Sequence, residues 1–173
     1  SVLVPILVGN GYQVTVLDDF MHKQTSLLDI CYHPYLNVIV GDVRDEELFK
    51  NEVSRHDIIL PLAAIVGAPA CDKDMTLATA VNQTQAEQIA MWVSDNQMVL
   101  FPVTNSGYGI GQEDVYCDET TPLNPISHYG KTKIAGEKAL LEMGNAITFR
   151  LATVFGTAPR MRMDLLVNDF VYR

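Results

Sequence analysis

The segment Met98-Val99-Leu100-Phe101-Pro102-Val103 is apolar at every position. A strand with one face in water alternates apolar and polar residues, whereas a strand that is apolar throughout is typical of a parallel sheet covered on both faces. Residues 57–62 form a second stretch that is almost continuously apolar. We therefore predict that both segments are buried strands of a parallel sheet.

The rest of the chain alternates between further strand-like segments and helical ones. Strands are predicted at residues 12–17, 36–40 and 146–151 from their β-branched and apolar content. Helices are predicted at residues 2–10, 46–53, 77–96, 127–143 and 164–172, and a solvated loop at residues 113–119. This alternation predicts a doubly wound parallel α/β domain, in which ligands bind beyond the carboxyl ends of the strands.

The composition fits one globular domain and disfavours several classes of partner. The 173 residues are 48% hydrophobic and carry a formal net charge of −9, which disfavours nucleic acids and anionic membranes as partners. Cys31, Cys71 and Cys117 lack CxxC spacing, and the four histidines lack metal-ligand spacing. We therefore predict no disulfide framework and no metal site, and a reducing, cytoplasmic location.

The helix predicted at residues 2–10 stands at an unusual place, directly at the start of the chain. A doubly wound domain ordinarily begins with a strand and a glycine-rich turn ahead of its first helix. We therefore expect that residues 1–173 form a dinucleotide-binding domain whose first strand and glycine turn are missing from this sequence.

Tyr129 and Lys133 lie four residues apart in the helix predicted at residues 127–143, so they share one helix face a single turn apart. An ammonium beside a phenol favours the phenolate and lowers a pKa that is otherwise about 10. Tyr129 is thus a candidate general acid and base, and Thr104 supplies a second hydroxyl for a substrate oxygen. The spacing alone also occurs on solvated helix faces, and that alternative stays open.

Asp18 follows the strand predicted at residues 12–17 and is a candidate acceptor for a ribose 2′-hydroxyl, although a role as a turn former or helix cap stays open. The glycines that accompany such an acid would fall roughly 20 residues earlier, before Ser1. Asp18 and Asp19 would repel a 2′-phosphate, so NAD is favoured over NADP. Asp42 and Val43 are predicted to bracket the adenine. The backbone that a dinucleotide would approach closely is predicted at Leu62, Ala63 and Ala64.

Taken together and in order, these motifs resemble the extended short-chain dehydrogenase/reductase family, in particular its nucleotide-sugar epimerase/dehydratase branch. The resemblance runs over essentially the whole chain. Its elements are Asp18, Gly41-Asp42-Val43, Leu62-Ala63-Ala64, Asn82, Thr104-Asn105-Ser106-Gly107-Tyr108-Gly109, Tyr129-Gly130-Lys131-Thr132-Lys133 and Arg150-Leu151-Ala152-Thr153-Val154-Phe155-Gly156.

The resemblance implies a role for each matching residue. Tyr129 would exchange the proton of a sugar hydroxyl, Lys133 would hold the nicotinamide ribose and lower the Tyr129 pKa, and Thr104 would hydrogen-bond the reacting oxygen. The remaining implied contacts are with the cofactor, at Asn82, Ala152 and Val154, and with the substrate, at Asn105 and Asn168. A homodimer and a smaller C-terminal substrate domain, absent from this sequence, are implied as well.

The function implied is NAD-dependent epimerisation of a nucleotide-sugar through a transient keto intermediate. Dehydratases of this family commonly carry an Asp-Glu pair directly after the catalytic threonine, whereas this chain has Asn105-Ser106, so elimination is disfavoured. Two alternatives stay open: a reductase or dehydrogenase of a keto-sugar or small alcohol, and a non-catalytic NAD-responsive binding protein.

Overall fold

A computed structural model describes residues 1–111 and 116–173 and shows strands that pair in parallel and alternate with helices. The loop predicted at residues 113–119 lies outside the described residues as far as residue 115. In chain order the helices and strands are α1 (Leu3–Gly9), β1 (Val14–Asp18), β2 (Leu36–Val40), α2 (Glu46–Val53), β3 (Ile58–Ile59), α3 (Ala68–Lys73), α4 (Met75–Thr79), α5 (Gln85–Trp92), β4 (Met98–Thr104), α6 (His128–Glu142), β5 (Ala146–Leu151) and α7 (Leu166–Tyr172).

The chain divides into two compact units, of which the first comprises residues 1–42 and 153–173. In this unit β1 and β2 pair in parallel, from Val14 opposite Leu36 to Asp18 opposite Val40. Asp18 is therefore the last residue of its strand, as predicted. Helix α1 ends before Gly11, whose positive φ of 85° makes the turn toward β1.

The second unit, residues 43–152, contains a parallel sheet in the order β3-β4-β5. The central strand β4 buries Val99, Phe101 and Val103, and it ends at Thr104, which lies opposite Leu151 of β5. The prediction of a parallel strand is confirmed for residues 98–103, but burial alternates along it, and Met98 is 43% exposed. Within the described residues, no helix combines the length and apolar character needed to cross a membrane.

The strand predicted at residues 57–62 is shorter than expected, because only Ile58 and Ile59 pair with β4. Pro61 explains why the pairing does not continue, since proline has no backbone N–H to donate to a ladder. The following residues run without regular structure to Gly67, where α3 begins.

The prediction of one regular helix at residues 77–96 was wrong in its bounds and in its regularity. It begins at Met75, after Asp74 caps the Leu77 N–H, and it ends at Trp92. Between α4 and α5 the backbone passes through a π-helical segment, Ala80–Thr84. Such one-turn expansions rotate side chains out of the regular helical register and often lie at functional sites.

Candidate active site

Thr104 lies at the carboxyl end of β4 and is buried, with 7% of its surface exposed. Its Oγ1 accepts a hydrogen bond from the Ser106 backbone N–H at 3.2 Å and donates one to Ser106 Oγ at 3.1 Å. The threonine thus caps the short 3₁₀ turn Asn105–Tyr108. Its hydroxyl is held in one place at the strand end, where the fold class places ligands.

Helix α6 packs against that 3₁₀ turn. Thr104 directly precedes the turn and Tyr129 lies in the first turn of the helix, so the two residues belong to neighbouring segments. Ser127 caps the helix by accepting from the Gly130 N–H at 3.1 Å. A Cβ at Gly130 would lie 3.0 Å from the Ser106 carbonyl oxygen, a tight contact, so glycine favours this approach. Tyr129 itself is half-buried in the first turn of the helix.

Lys133 lies one turn further along α6 and is 4% exposed, which is rare for a lysine. Its Nζ lies 3.8 Å from the centroid of the Phe101 ring on β4, a cation–π contact. No hydrogen bond or ion pair joins this ammonium to another described residue, so its three N–H donors are available to a ligand. Burial lowers the pKa of Lys133 from 10.5 to about 8, and the charge of Glu137 partly opposes this.

Glu137 follows one turn after Lys133 and is 2% exposed. Its carboxylate accepts from Arg150 Nε at 3.0 and 3.1 Å and from Thr148 Oγ1 at 2.8 Å, which ties α6 to β5. Arg150 Nη1 also donates to the Tyr108 hydroxyl at 3.4 Å. Glu137 was not among the residues predicted for the site, although it lies four residues after Lys133 on the same helix face.

Asn82, predicted to contact the cofactor, lies in the π-helical segment and is 2% exposed. Its amide accepts from the Ile65 N–H and donates to the Ile65 carbonyl oxygen, both at 2.9 Å. Its Nδ2 also lies 3.4 Å from Thr132 Oγ1 of α6. Asn82 therefore fixes the backbone directly after Ala63 and Ala64, the segment predicted to lie close to a dinucleotide.

The other predicted residues of the second unit differ in exposure. Ala63 and Ala64 are half-buried, Val43 is 9% exposed, and Leu62 is 57% exposed. Asn105 and Ala152 are exposed. That the backbone after β3 lies along a dinucleotide stays a prediction.

In the first unit, Asp18 Oδ1 accepts from the Phe20 N–H at 2.7 Å, so one carboxylate oxygen forms the turn after β1. No described residue donates to the second oxygen, which can accept from a ribose hydroxyl. Asp42 is half-buried, and Val154 is 66% exposed. Asn168 accepts from the Gly156 N–H and donates to the Arg162 carbonyl oxygen, so its amide serves the loop before α7.

Each unit by itself offers a group of the kind that NAD requires: a carboxylate oxygen at Asp18 in the first unit and an ammonium with unused donors at Lys133 in the second. A metal-assisted site has no counterpart among the described side chains, where no group of three or more His, Cys, Asp or Glu could hold an ion.

Comparison with known families gives a match over residues 1–171 to the NAD dependent epimerase/dehydratase family. Among curated relatives, the probable low-salt glycan biosynthesis reductase Agl14 of Haloferax volcanii is 26% identical over 159 residues, covering 90% of this chain and 50% of the relative. The N-acetyl-alpha-D-glucosaminyl-diphospho-ditrans,octacis-undecaprenol 4-epimerase of Escherichia coli O157:H7 is 28% identical, covering 85% and 44%.

Among solved structures, the Bordetella bronchiseptica enzyme WbmG in complex with NAD superimposes with a TM-score of 0.76 at 25% identity. The match covers 89% of this chain and 49% of WbmG, which has also been crystallised with NAD and UDP. The fold is thus Rossmann-like, as predicted. The chain spans about half the length of the curated relatives it matches.

Proposed function

The chain belongs to the NAD-dependent epimerase/dehydratase family, and from this premise we propose that the protein epimerises a nucleotide-sugar through a transient keto intermediate, with NAD as its cofactor. The observation that carries the proposal is the arrangement around β4 and α6. A buried threonine ends the strand, the tyrosine opens the adjoining helix, and a buried lysine with unused donors lies one turn beyond.

NAD would supply the hydride acceptor and donor, and the chain's own side chains would hold it and move the proton. Lys133 would donate to the hydroxyls of the nicotinamide ribose. Asp18 would accept from the ribose hydroxyls at the adenine end, and Asp42 and Val43 would flank the adenine. The segment at residues 62–64, fixed by Asn82, would lie along the dinucleotide backbone.

Tyr129 would act as the acid and base. The positive charge of Lys133 favours the phenolate, which removes the proton from a sugar hydroxyl as the carbon is oxidised. Thr104 would hydrogen-bond the same oxygen and fix its distance from the phenol. Reduction of the ketone from its other face returns the proton from Tyr129 and gives the epimer.

The residues after Thr104 favour epimerisation over elimination. Asn105 has no ionisable side chain, and the Ser106 hydroxyl accepts from Thr104 Oγ1 at 3.1 Å. Neither is suited to serve as the acid or base that loss of water requires.

A second candidate function is reduction of a keto-sugar, which the similarity to the Haloferax volcanii reductase favours. The same Thr104, Tyr129 and Lys133 set would serve, with Tyr129 giving its proton to the carbonyl oxygen. The two reactions differ in their consumption of cofactor. A reductase oxidises one NADH for each turnover, whereas an epimerase returns the hydride and leaves the NADH concentration unchanged.

The test is Tyr129→Phe in the protein as expressed from its own gene, assayed with a panel of UDP- and dTDP-sugars. We expect turnover to fall by about 10³-fold or more, because the phenol is the only proposed proton carrier, while NAD affinity and thermal stability stay close to wild type. Tyr116→Phe is the matched control, since Tyr116 is 97% exposed. Near-normal activity in Tyr129→Phe would reject the proposed role. Absence of turnover in the wild type, with NAD bound, would favour a non-catalytic NAD-binding protein.

The homodimer is a separate proposal that comes from the family resemblance. Sedimentation equilibrium on the same preparation tests it, and a monomer at micromolar concentration would reject it.

A further inference from the structure

Glu137 is a carboxylate buried in the second unit without any role in the proposed proton transfer. It lies on α6 four residues after Lys133, so the two side chains share a helix face one turn apart. Both are almost completely buried, with 2% and 4% of their surfaces exposed. Opposite charges on one face of a helix and out of water attract each other more strongly than they would at the surface.

The Glu137 carboxylate is held in place by hydrogen bonds to two side chains of β5. Arg150 Nε donates to both of its oxygens, and Thr148 Oγ1 donates to one of them. Both donors come from β5, so the position of the negative charge beside Lys133 is set by the sheet as well as by the helix.

Arg150 is a second positive charge near the Glu137 carboxylate, in addition to Lys133. It forms the ion pair with Glu137 and lies 5.5 Å from the Tyr108 ring, with 16% of its side chain exposed. Glu137 is therefore ion-paired with one cation and lies one helix turn from another, Lys133. Removing the carboxylate should lower the pKa of Lys133, because a negative charge is lost. Removing Arg150 should raise the pKa of Lys133, because a competing positive charge is lost and the charge of Glu137 is no longer compensated by Arg150.

Other titratable groups lie on α6 and on the elements packed against it. On the elements packed against α6, the titratable side chains are Cys71, Asp72 and Lys73 on α3, Glu87 on α5, Tyr108 on the 3₁₀ turn, and Arg150; α6 itself adds His128, Tyr129, Lys131, Lys138 and Glu142. Of these, Cys71 is a neutral buried thiol whose pKa is raised by burial. Glu87 is hydrogen-bonded to Gln83.

We infer that Glu137 is a positioning residue whose buried carboxylate, fixed by Arg150 and Thr148, keeps the Lys133 side chain charged for its work on Tyr129 and the nicotinamide ribose. The role of the charged Lys133 in catalysis rests on the proposed function. The effect of Glu137 on the charge of Lys133 is independent of it. A purely structural ion pair between α6 and β5 would hold the two elements together without controlling the charge of Lys133.

The experiment measures the pKa of Lys133 directly, by NMR titration of the side-chain Cε and Hε signals in lysine-labelled protein. Lys133→Met identifies the signal by its disappearance. Glu137→Gln should lower the pKa of Lys133 by about one unit or more, and Arg150→Met should raise it. Glu142→Gln is the matched control on the same helix, since its partner Lys138 lies at the surface, and it should leave the Lys133 pKa unchanged.

Opposite shifts in Glu137→Gln and Arg150→Met support the inference, because loss of packing alone would not change direction with the sign of the removed charge. Shifts in the same direction, or none in either variant, overturn it. Should Glu137→Gln fail to fold, Arg150→Met alone decides, since a pKa that falls or stays constant contradicts the proposed sharing. The measurement needs no turnover, so failure of the proposed function would leave these shifts as they are.

Discussion

Replacement of Lys133 by methionine should make the protein more stable at neutral pH. The folded chain carries the lysine in a place where 4% of its surface is exposed and no described residue hydrogen-bonds the ammonium. Methionine has a similar length and no charge to desolvate, so it can occupy the same space beside Phe101. Loss of a group with a proposed functional role would thus increase the free energy of unfolding.

The magnitude follows from the pKa of Lys133, which falls from 10.5 to about 8 on folding. Each pKa unit corresponds to about 1.4 kcal/mol, so the charge costs about 3 kcal/mol at pH 7. The cation–π contact with Phe101 returns about 1 kcal/mol of this. The variant should therefore be about 2 kcal/mol more stable than the wild type at pH 7.

The pH dependence has a definite sign. Below pH 8 both the folded and the unfolded lysine are protonated, so the cost is present in full. Between pH 8 and 10.5 the unfolded chain holds the proton and the folded chain loses it, so wild-type stability rises relative to the variant. At pH 10 the advantage of Lys133→Met should have fallen below about 1 kcal/mol.

Urea denaturation followed by circular dichroism at pH 7 and pH 10 measures both numbers. Lys131→Met is the matched control, because Lys131 lies on the same helix and is exposed. Comparing each variant with the wild type at the same pH cancels the titration of the other side chains. A variant that is less stable than the wild type at pH 7, or an advantage that is the same at both pH values, would refute the reasoning.

Three further predictions concern residues around the candidate site. Asn82→Leu should lower the free energy of unfolding by about 2–4 kcal/mol in urea denaturation, since it leaves the Ile65 N–H and carbonyl without their partner; full stability would contradict this. Gly136→Ala should cost about 1–3 kcal/mol, because its Cβ would lie 2.9 Å from a neighbouring helix, whereas Gly9→Ala meets no atom within 4 Å and should change stability little. Thr104→Val should reduce kcat about 10²-fold with a thermal midpoint close to wild type, and unchanged kcat would remove Thr104 from the mechanism.

Local sequence signals were sufficient where the structure depends on local contacts. Helix α6 was predicted at residues 127–143 and is observed from His128 to Glu142, because the Ser127 cap and the apolar spacing act within a few residues. The apolar composition of β4 likewise predicted its burial. Short α3 could not be predicted in this way, since Pro69 in its second position can equally mark a turn.

The support of the site depends on contacts between residues far apart in the sequence, which spacing does not reveal. Asn82 pairs with Ile65, 17 residues earlier, and only the π-helical segment turns it inward. Glutamate is almost never fully buried unless it is paired. The partner of Glu137 lies 13 residues further along, on β5, so its i,i+4 spacing from Lys133 did not reveal the ion pair that accompanies its burial.

The charges around α6 are costly for stability, and this cost is itself an argument for function. A buried ion pair is often no more stabilising than apolar residues of the same volume, and an additional buried ammonium is worse. The Lys133 ammonium lies against Phe101 with unused donors. The carboxylate of Glu137, one helix turn away, already forms an ion pair with Arg150. A core selected only for stability would place an apolar side chain there. We expect such a cost where a cation must be kept at a fixed position for function, and the role proposed for Lys133 is of that kind, so replacing Lys133 should increase stability while it removes activity.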